Sequence, residues 1–119
     1  MRELRLHQQE VKRFLRRSVP RIVAMFPQVR KIILFGSYAS GRPNHDSDVD
    51  LFIVMSTKQR WSDRVRVLQA LFPERPVPLD FVVRTPEEVR ERLSSYFCPF
   101  TREVLTKGRV LYEAPSRRS

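Results

Sequence analysis

A single cysteine stands in this sequence of 119 residues. Cys98 therefore has no internal disulfide partner, and a cytoplasmic setting is the simplest expectation. Histidine is nearly as scarce, and His7 and His45 lie too far apart, with one cysteine between them and the end, to read as a zinc ligand set. No apolar run approaches the roughly 20 residues of a transmembrane helix. The opening stretch MRELRLHQQEVKRFL is charged and amphipathic, without the apolar core of a secretory signal. Internal repeats, low-complexity tracts and an interdomain linker are also lacking. Acid is in deficit: 13 Asp and Glu stand against 23 Lys and Arg, a net charge of +10 with a pI near 11.0. Such a chain attracts nucleic acid, acidic protein surfaces or polyphosphates. Its basic residues are spread along the whole length, however, and no basic run is interleaved with aromatics, so a nucleic-acid-binding module lacks its motif. The hydrophobic share, 41%, suits one globular domain that builds a core without staples. We place that domain at residues 1–113 and expect a loose basic tail over 114–119.

The chemistry concentrates between Lys31 and Met55, KIILFGSYASGRPNHDSDVDLFIVM. Ile32 to Phe35 is an apolar run that stops at Gly36-Ser37. Leu51 to Val54 is a second run, preceded by Asp48-Val49-Asp50. The pattern predicts strand, turn, short helix, loop and strand. Strand alternation puts Asp48 and Asp50 on one face, about 7 Å apart, with Val49 on the other. Two like charges so placed repel, and a divalent cation with a preference for hard oxygen ligands, such as Mg²⁺, relieves the repulsion. Gly36 permits a close backbone approach, Ser37 can open a helix, and the free amides of a helix start suit a phosphate. Asp46 precedes the strand in a turn and is read as a capping or solvated residue; His45 is read as a loop residue.

Around this unit the spacing predicts a first helix over Arg2 to Phe26, with Leu4, Val11, Phe14, Leu15, Ile22, Val23 and Phe26 near one face. Pro20 is expected to kink or restart it. Ser62 is expected to cap a helix carrying Val65, Leu68, Leu71 and Phe72 inward. Leu79 to Val83 reads as a third strand. The helix between the second and third strands implies a crossover between parallel neighbours, which brings Asp80 beside Asp48 and Asp50. Asp80 itself reads as an acid within an apolar strand, in need of a partner. Thr85-Pro86-Glu87-Glu88 is a capping box with proline at the first helical position. That helix runs to about Ser95, the segment around Phe97 interrupts it, and another helix runs to Lys107 with Gly108 as its stop. Val110 to Tyr112 reads as a short edge strand. The aromatic stretch Tyr96 to Phe100 is either core packing or a contact for a partner.

Gly36-Ser37, ten residues, then Asp48-x-Asp50 with an apolar strand behind it resembles the nucleotidyltransferase superfamily related to DNA polymerase β. Within it the chain is most similar to the minimal nucleotidyltransferases, the antitoxin-type partners of HEPN-domain proteins. The resemblance implies an α+β fold, a small mixed sheet with helices packed on it in a two-layer arrangement. It also implies an Mg²⁺-dependent enzyme that transfers AMP from ATP to a hydroxyl, with a tyrosine of a HEPN-type toxin as acceptor. Asp48, Asp50 and Asp80 are then the catalytic and metal-binding carboxylates for two Mg²⁺ ions. Gly36, Ser37, Ser47 and Arg42 are the nucleotide-binding candidates. The chain departs from the family at Ser40, where an arginine is common; Arg42, just past Gly41, is the candidate to replace it. The alternatives are a catalytically idle subunit that neutralises a partner by contact, and a basic nucleic-acid-binding module.

Overall fold

The computed structural model describes residues 2–44, 46–95 and 98–115. His45, Tyr96, Phe97 and residues 116–119, on which parts of the loop, aromatic-stretch and tail expectations rest, lie outside them. The elements run α1 (Arg2–Met25), β1 (Val29–Phe35), α2 (Ser37–Ser40), β2 (Val49–Met55), α3 (Trp61–Gln69), β3 (Leu79–Arg84), α4 (Pro86–Ser94), α5 (Pro99–Lys107) and β4 (Arg109–Glu113). The four strands form one sheet in the order β3-β2-β1-β4. β2 lies parallel to β3, as the crossover through α3 requires, and β1 is antiparallel to both β2 and β4. The result is the expected α+β mixed sheet.

The central strands β1 and β2 are nearly continuous apolar runs because both faces of the sheet are covered. On one face Val29, Ile32, Leu34, Val49, Leu51, Ile53, Met55, Leu79, Phe81 and Val83 pack with Val11, Leu15 and Ile22 of α1 and Leu68 of α3. On the other, Ile33, Phe52 and Val54 pack with Val104 of α5, flanked by Phe35, Val82, Val89 and Leu105. Among the described residues no helix is long and apolar enough to cross a membrane.

Several expectations change on contact with the structure. α1 runs unbroken through Pro20. The hydrogen bond that proline forfeits belongs to the Arg16 carbonyl; both residues are exposed, where water can replace it, while Val11, Leu15, Ser18 and Ile22 bury a continuous stripe across the site. Ser62 does not cap α3: Arg60 holds the cap position without a side-chain bond, and Ser62 lies inside the first turn. The anchor there is Arg64, which is buried and donates from Nη1 to Glu88 Oε1 at 2.7 Å and from Nε to the Gln59 carbonyl at 2.9 Å. Trp61 Nε1 also donates to Glu88, at 2.9 Å, and the Arg84 guanidinium lies 4.0 Å from the Trp61 ring centre. Glu88 thus serves both the capping box of α4, which is present as expected, and the link to α3. Gly108 does end α5, but in an extended conformation, φ −70°. A Cβ there would overlap Ile33 Cγ2, so glycine is needed for space rather than for a left-handed turn. Just past β4, the Ala114 amide donates to the Arg30 carbonyl at 2.8 Å.

Candidate active site

Topology gathers the predicted residues at one end of the sheet. Antiparallel pairing sets the end of β1 beside the start of β2, with Phe35 opposite Asp50. Parallel pairing sets the starts of β2 and β3 side by side, with Asp50 opposite Asp80. Val49 is fully buried on the α1 side, so Asp50 projects from the opposite face. Asp48, two residues earlier, is expected on that face too.

Gly36 joins the turn to the carboxylates. Its φ of 77° is one that side chains rarely adopt, and a Cβ there would overlap Asp50 Oδ2. The Gly36 carbonyl accepts from the Ala39 and Ser40 amides, both at 3.1 Å. This leaves the amides of Ser37 and Tyr38 as the opening N–H groups of α2, which have no partner within a helix. The Ser37 carbonyl accepts from the Arg42 amide at 3.0 Å and from Ser40 Oγ at 3.0 Å, which closes the turn behind them. Arg42 is exposed directly after this turn. Ser47 sits in the loop before β2, where its Oγ accepts from the Asn44 amide at 2.8 Å. The Asp46 amide donates to Asn44 Oδ1 at 2.8 Å, and Asp46 is exposed, in keeping with its reading as a solvated turn residue.

The three carboxylates feel one another. Partial burial, then the charges of Asp80 and Asp48, push Asp50 up to about 6. Asp80 is also raised, by burial and then by Asp48 through charge and a hydrogen bond, while its hydrogen bond with Asp50 acts the other way. Asp80 is an exposed residue, contrary to the buried acid read from its strand, so the neighbouring carboxylates are the firmer cause. β3 is an edge strand, and its Asp80 lies on the face away from Leu79 and Phe81. In chemistry the donor set suits a hard divalent cation: three oxygen ligands whose mutual repulsion a cation would remove. As the side chains stand, no group of three or more His, Cys, Asp or Glu among the described residues is arranged to hold a metal ion.

The strand run signalled Asp50 and Asp80, but not the interlock of Gly36 with Asp50. That depends on the antiparallel register of β1 and β2, which no local signal carries. Sequence reasoning also missed a cavity of about 430 Å³ between α2 and α5, lined by Phe35, Gly36, Ala39, Phe100 and Val104 among others.

Comparison with known proteins agrees with this fold. Residues 18–117 match the family described as polymerase beta, nucleotidyltransferase. A protein of Methanocaldococcus jannaschii, provisionally named a protein adenylyltransferase, is 33% identical over 85 residues, which span 71% of this chain and 80% of the relative. The fold is similar to that of a provisionally named nucleotidyltransferase from Sulfolobus solfataricus, with a TM-score of 0.63 at 17% identity over 90% of this chain and 84% of the other. It is also similar to that of a toxin–antitoxin with AMP-PNP, with a TM-score of 0.56 at 20% identity over 82% of this chain and 73% of the other. The chain belongs to the polymerase β-type nucleotidyltransferase family.

Proposed function

We propose that this nucleotidyltransferase is an Mg²⁺-dependent protein adenylyltransferase. It would transfer AMP from ATP to a hydroxyl on a partner protein, a tyrosine of a HEPN-type toxin, and so act as an antitoxin in the cytoplasm. The observation that carries the reading is the convergence of the Gly36-Ser37 turn with Asp48, Asp50 and Asp80 at one end of the sheet. The name of the Methanocaldococcus relative supports protein as acceptor. The toxin–antitoxin whose fold is similar supports the antitoxin role and an adenine nucleotide.

In this reading the Ser37 and Tyr38 amides and the Ser37 hydroxyl hold the phosphates, with Ser47 and Arg42 as further contacts. Asp48, Asp50 and Asp80 would hold two Mg²⁺ ions, which when bound would supply the positive charge that offsets the triphosphate and the departing pyrophosphate. Asp80 takes the proton from the acceptor hydroxyl. The hydroxyl oxygen attacks the α-phosphorus in line, an O–P bond forms, the bond to the β-phosphate bridging oxygen breaks, and pyrophosphate leaves.

Incubation with partner proteins and ATP labelled at the α- or the γ-phosphate tests the reading. Label from the α position alone, absent without Mg²⁺, is the expected result. Label from γ marks a kinase. Neutralisation of a partner with no label at all marks an idle binding subunit.

A further inference from the structure

We infer that Trp61, Arg84 and Arg92 form a docking surface for an acidic segment of the acceptor protein. The inference rests on the protein adenylyltransferase reading and states what the acceptor carries near its hydroxyl.

The surface begins on the strand that holds Asp80. Asp80 and Arg84 both belong to β3, and strand alternation puts them on one face, away from the buried Leu79, Phe81 and Val83. At about 3.3 Å per residue they are about 13 Å apart along the strand. β3 is an edge strand, so a segment from another chain can reach both from solvent. Such a segment would not add to the sheet as a further strand. The Leu79 carbonyl already accepts from Gln69 Nε2 at 2.6 Å, and the Val83 carbonyl from Arg84 Nη1 at 2.9 Å and Arg64 Nη1 at 3.2 Å. Recognition along this edge falls to side chains.

Trp61 is a large apolar side chain left 47% exposed. The Arg84 and Arg92 guanidiniums lie 4.0 and 4.9 Å from its ring centre, which gives both a flat support. Among the described residues neither comes within ion-pair distance of a carboxylate. Glu88, which accepts from Trp61, is engaged by the buried Arg64 at 2.7 Å. Three arginines thus stand against one carboxylate. Burial first, then the charge of Arg92, lowers the Arg84 guanidinium from its ordinary value, in keeping with cations short of counter-charge. A carboxylate from another chain supplies that charge, and arginine takes it through two parallel N–H groups. A nucleic acid fits less well, since guanidiniums already occupy the ring that would stack a base. In an extended segment the acid that meets Arg84 and Arg92 sits about four residues from the hydroxyl at Asp80.

Trp61 is the chain's one tryptophan, so its fluorescence reports on this surface directly. The probes are a synthetic peptide with a tyrosine and, about four residues on, a Glu-Glu pair, the same peptide with Gln-Gln, and oligouridylate. The acidic peptide is expected to change Trp61 fluorescence on binding, and the Gln-Gln peptide to bind about tenfold more weakly, the order for two surface charge pairs. Arg84→Gln combined with Arg92→Gln should remove that preference. Arg84→Lys combined with Arg92→Lys, which keeps the charge and guards against a folding defect, should retain much of it. With α-labelled ATP and Mg²⁺, the KM values of the two peptides should follow the same order. Equal binding of both peptides by wild type, or an unchanged preference in the Gln variant, overturns the docking assignment and leaves the transferase reading standing. A Trp61 response to oligouridylate with none to the acidic peptide gives the surface to nucleic acid and overturns the assignment too. Acidic peptide that binds at Trp61 with the expected preference but takes no label from ATP supports the docking surface and counts against the adenylyltransferase reading instead.

Discussion

Gly36 and Asp50 occupy adjoining space so tightly that a side chain at position 36 would overlap the Asp50 carboxylate. Asp50 is also the carboxylate most disfavoured as an ion. Its folded value, raised to about 6, means that its contribution to stability is present below the ordinary carboxylate range and lost as the pH rises through about 6. Asp50→Asn is therefore expected to raise the melting temperature at pH 7 without divalent metal, a gain that shrinks as the pH falls below 6. The same change should abolish Mg²⁺-dependent ATP binding; unchanged melting and unchanged ATP affinity would remove Asp50 from the site. Asp80→Ala should behave differently, because the base proposed at this position would be used only in the transition state. Transfer should fall on the order of a hundredfold or more while much of the nucleotide affinity remains. Glu88 carries the opposite sign. Although burial opposes its charge, hydrogen bonds from Arg64, the Thr85 amide and Trp61 hold it down at about 2. Its contribution is present above the ordinary range and lost as the pH falls through about 2. Glu88→Gln strands the buried Arg64, and a loss of about 3 kcal/mol at pH 7 is expected from a broken, partly buried pair. Denaturant melts should show that loss shrinking toward pH 2.

α1 tests how far local signals can be trusted. Pro20 sits in the interior of a helix that does not break, and proline costs about 3 kcal/mol there relative to alanine. Some of that returns through the stiffer unfolded chain, so Pro20→Ala should stabilise the protein by about 2 kcal/mol in chemical denaturation. A neutral or destabilising result would mean that the proline is accommodated by a local distortion the alanine cannot use. The sequence signalled a kink or a restart at Pro20 because the missing amide is a local property; the stripe from Val11 to Ile22 that carries the helix on without a restart is a tertiary one. The same division runs through the molecule. Strands such as Leu51 to Val54, the capping box at Thr85 and the crossover to β3 were legible because each is written in neighbouring residues. Asp48, Asp50 and Asp80 were legible as a set because strand alternation and a parallel crossover together fix their place. The Glu88 link between α3 and α4 was not, since its partners are 24 and 27 residues away. Gly108 was legible as a stop but not in its reason, the closeness of Ile33.

The whole molecule adds a consequence of charge. Its single sheet carries the Gly36-Ser37 turn and three acids at one end, and its sequence carries a net charge of +10. The carboxylate site is locally negative, so the excess of Lys and Arg lies elsewhere and is not explained by a few phosphate contacts. An acidic acceptor protein would be drawn to such a surface and oriented by it. Long-range attraction of this kind decays with the Debye length, from about 30 Å at 0.01 M salt to about 8 Å at 0.15 M. Contacts inside the site act at hydrogen-bond distance and are less screened. Transfer to an acidic partner, measured as kcat/KM for that partner at saturating ATP, should therefore fall steeply over this range of salt. The kcat at saturating partner should change little, because steering acts on encounter and not on the bound complex. Charge-reversing exposed residues of α1, such as Arg13 and Arg17, should flatten the salt dependence if that face does the steering. A kcat/KM that is flat with salt in the wild type would show that the excess charge does not recruit the acceptor, and would leave shape and apolar contact to do so.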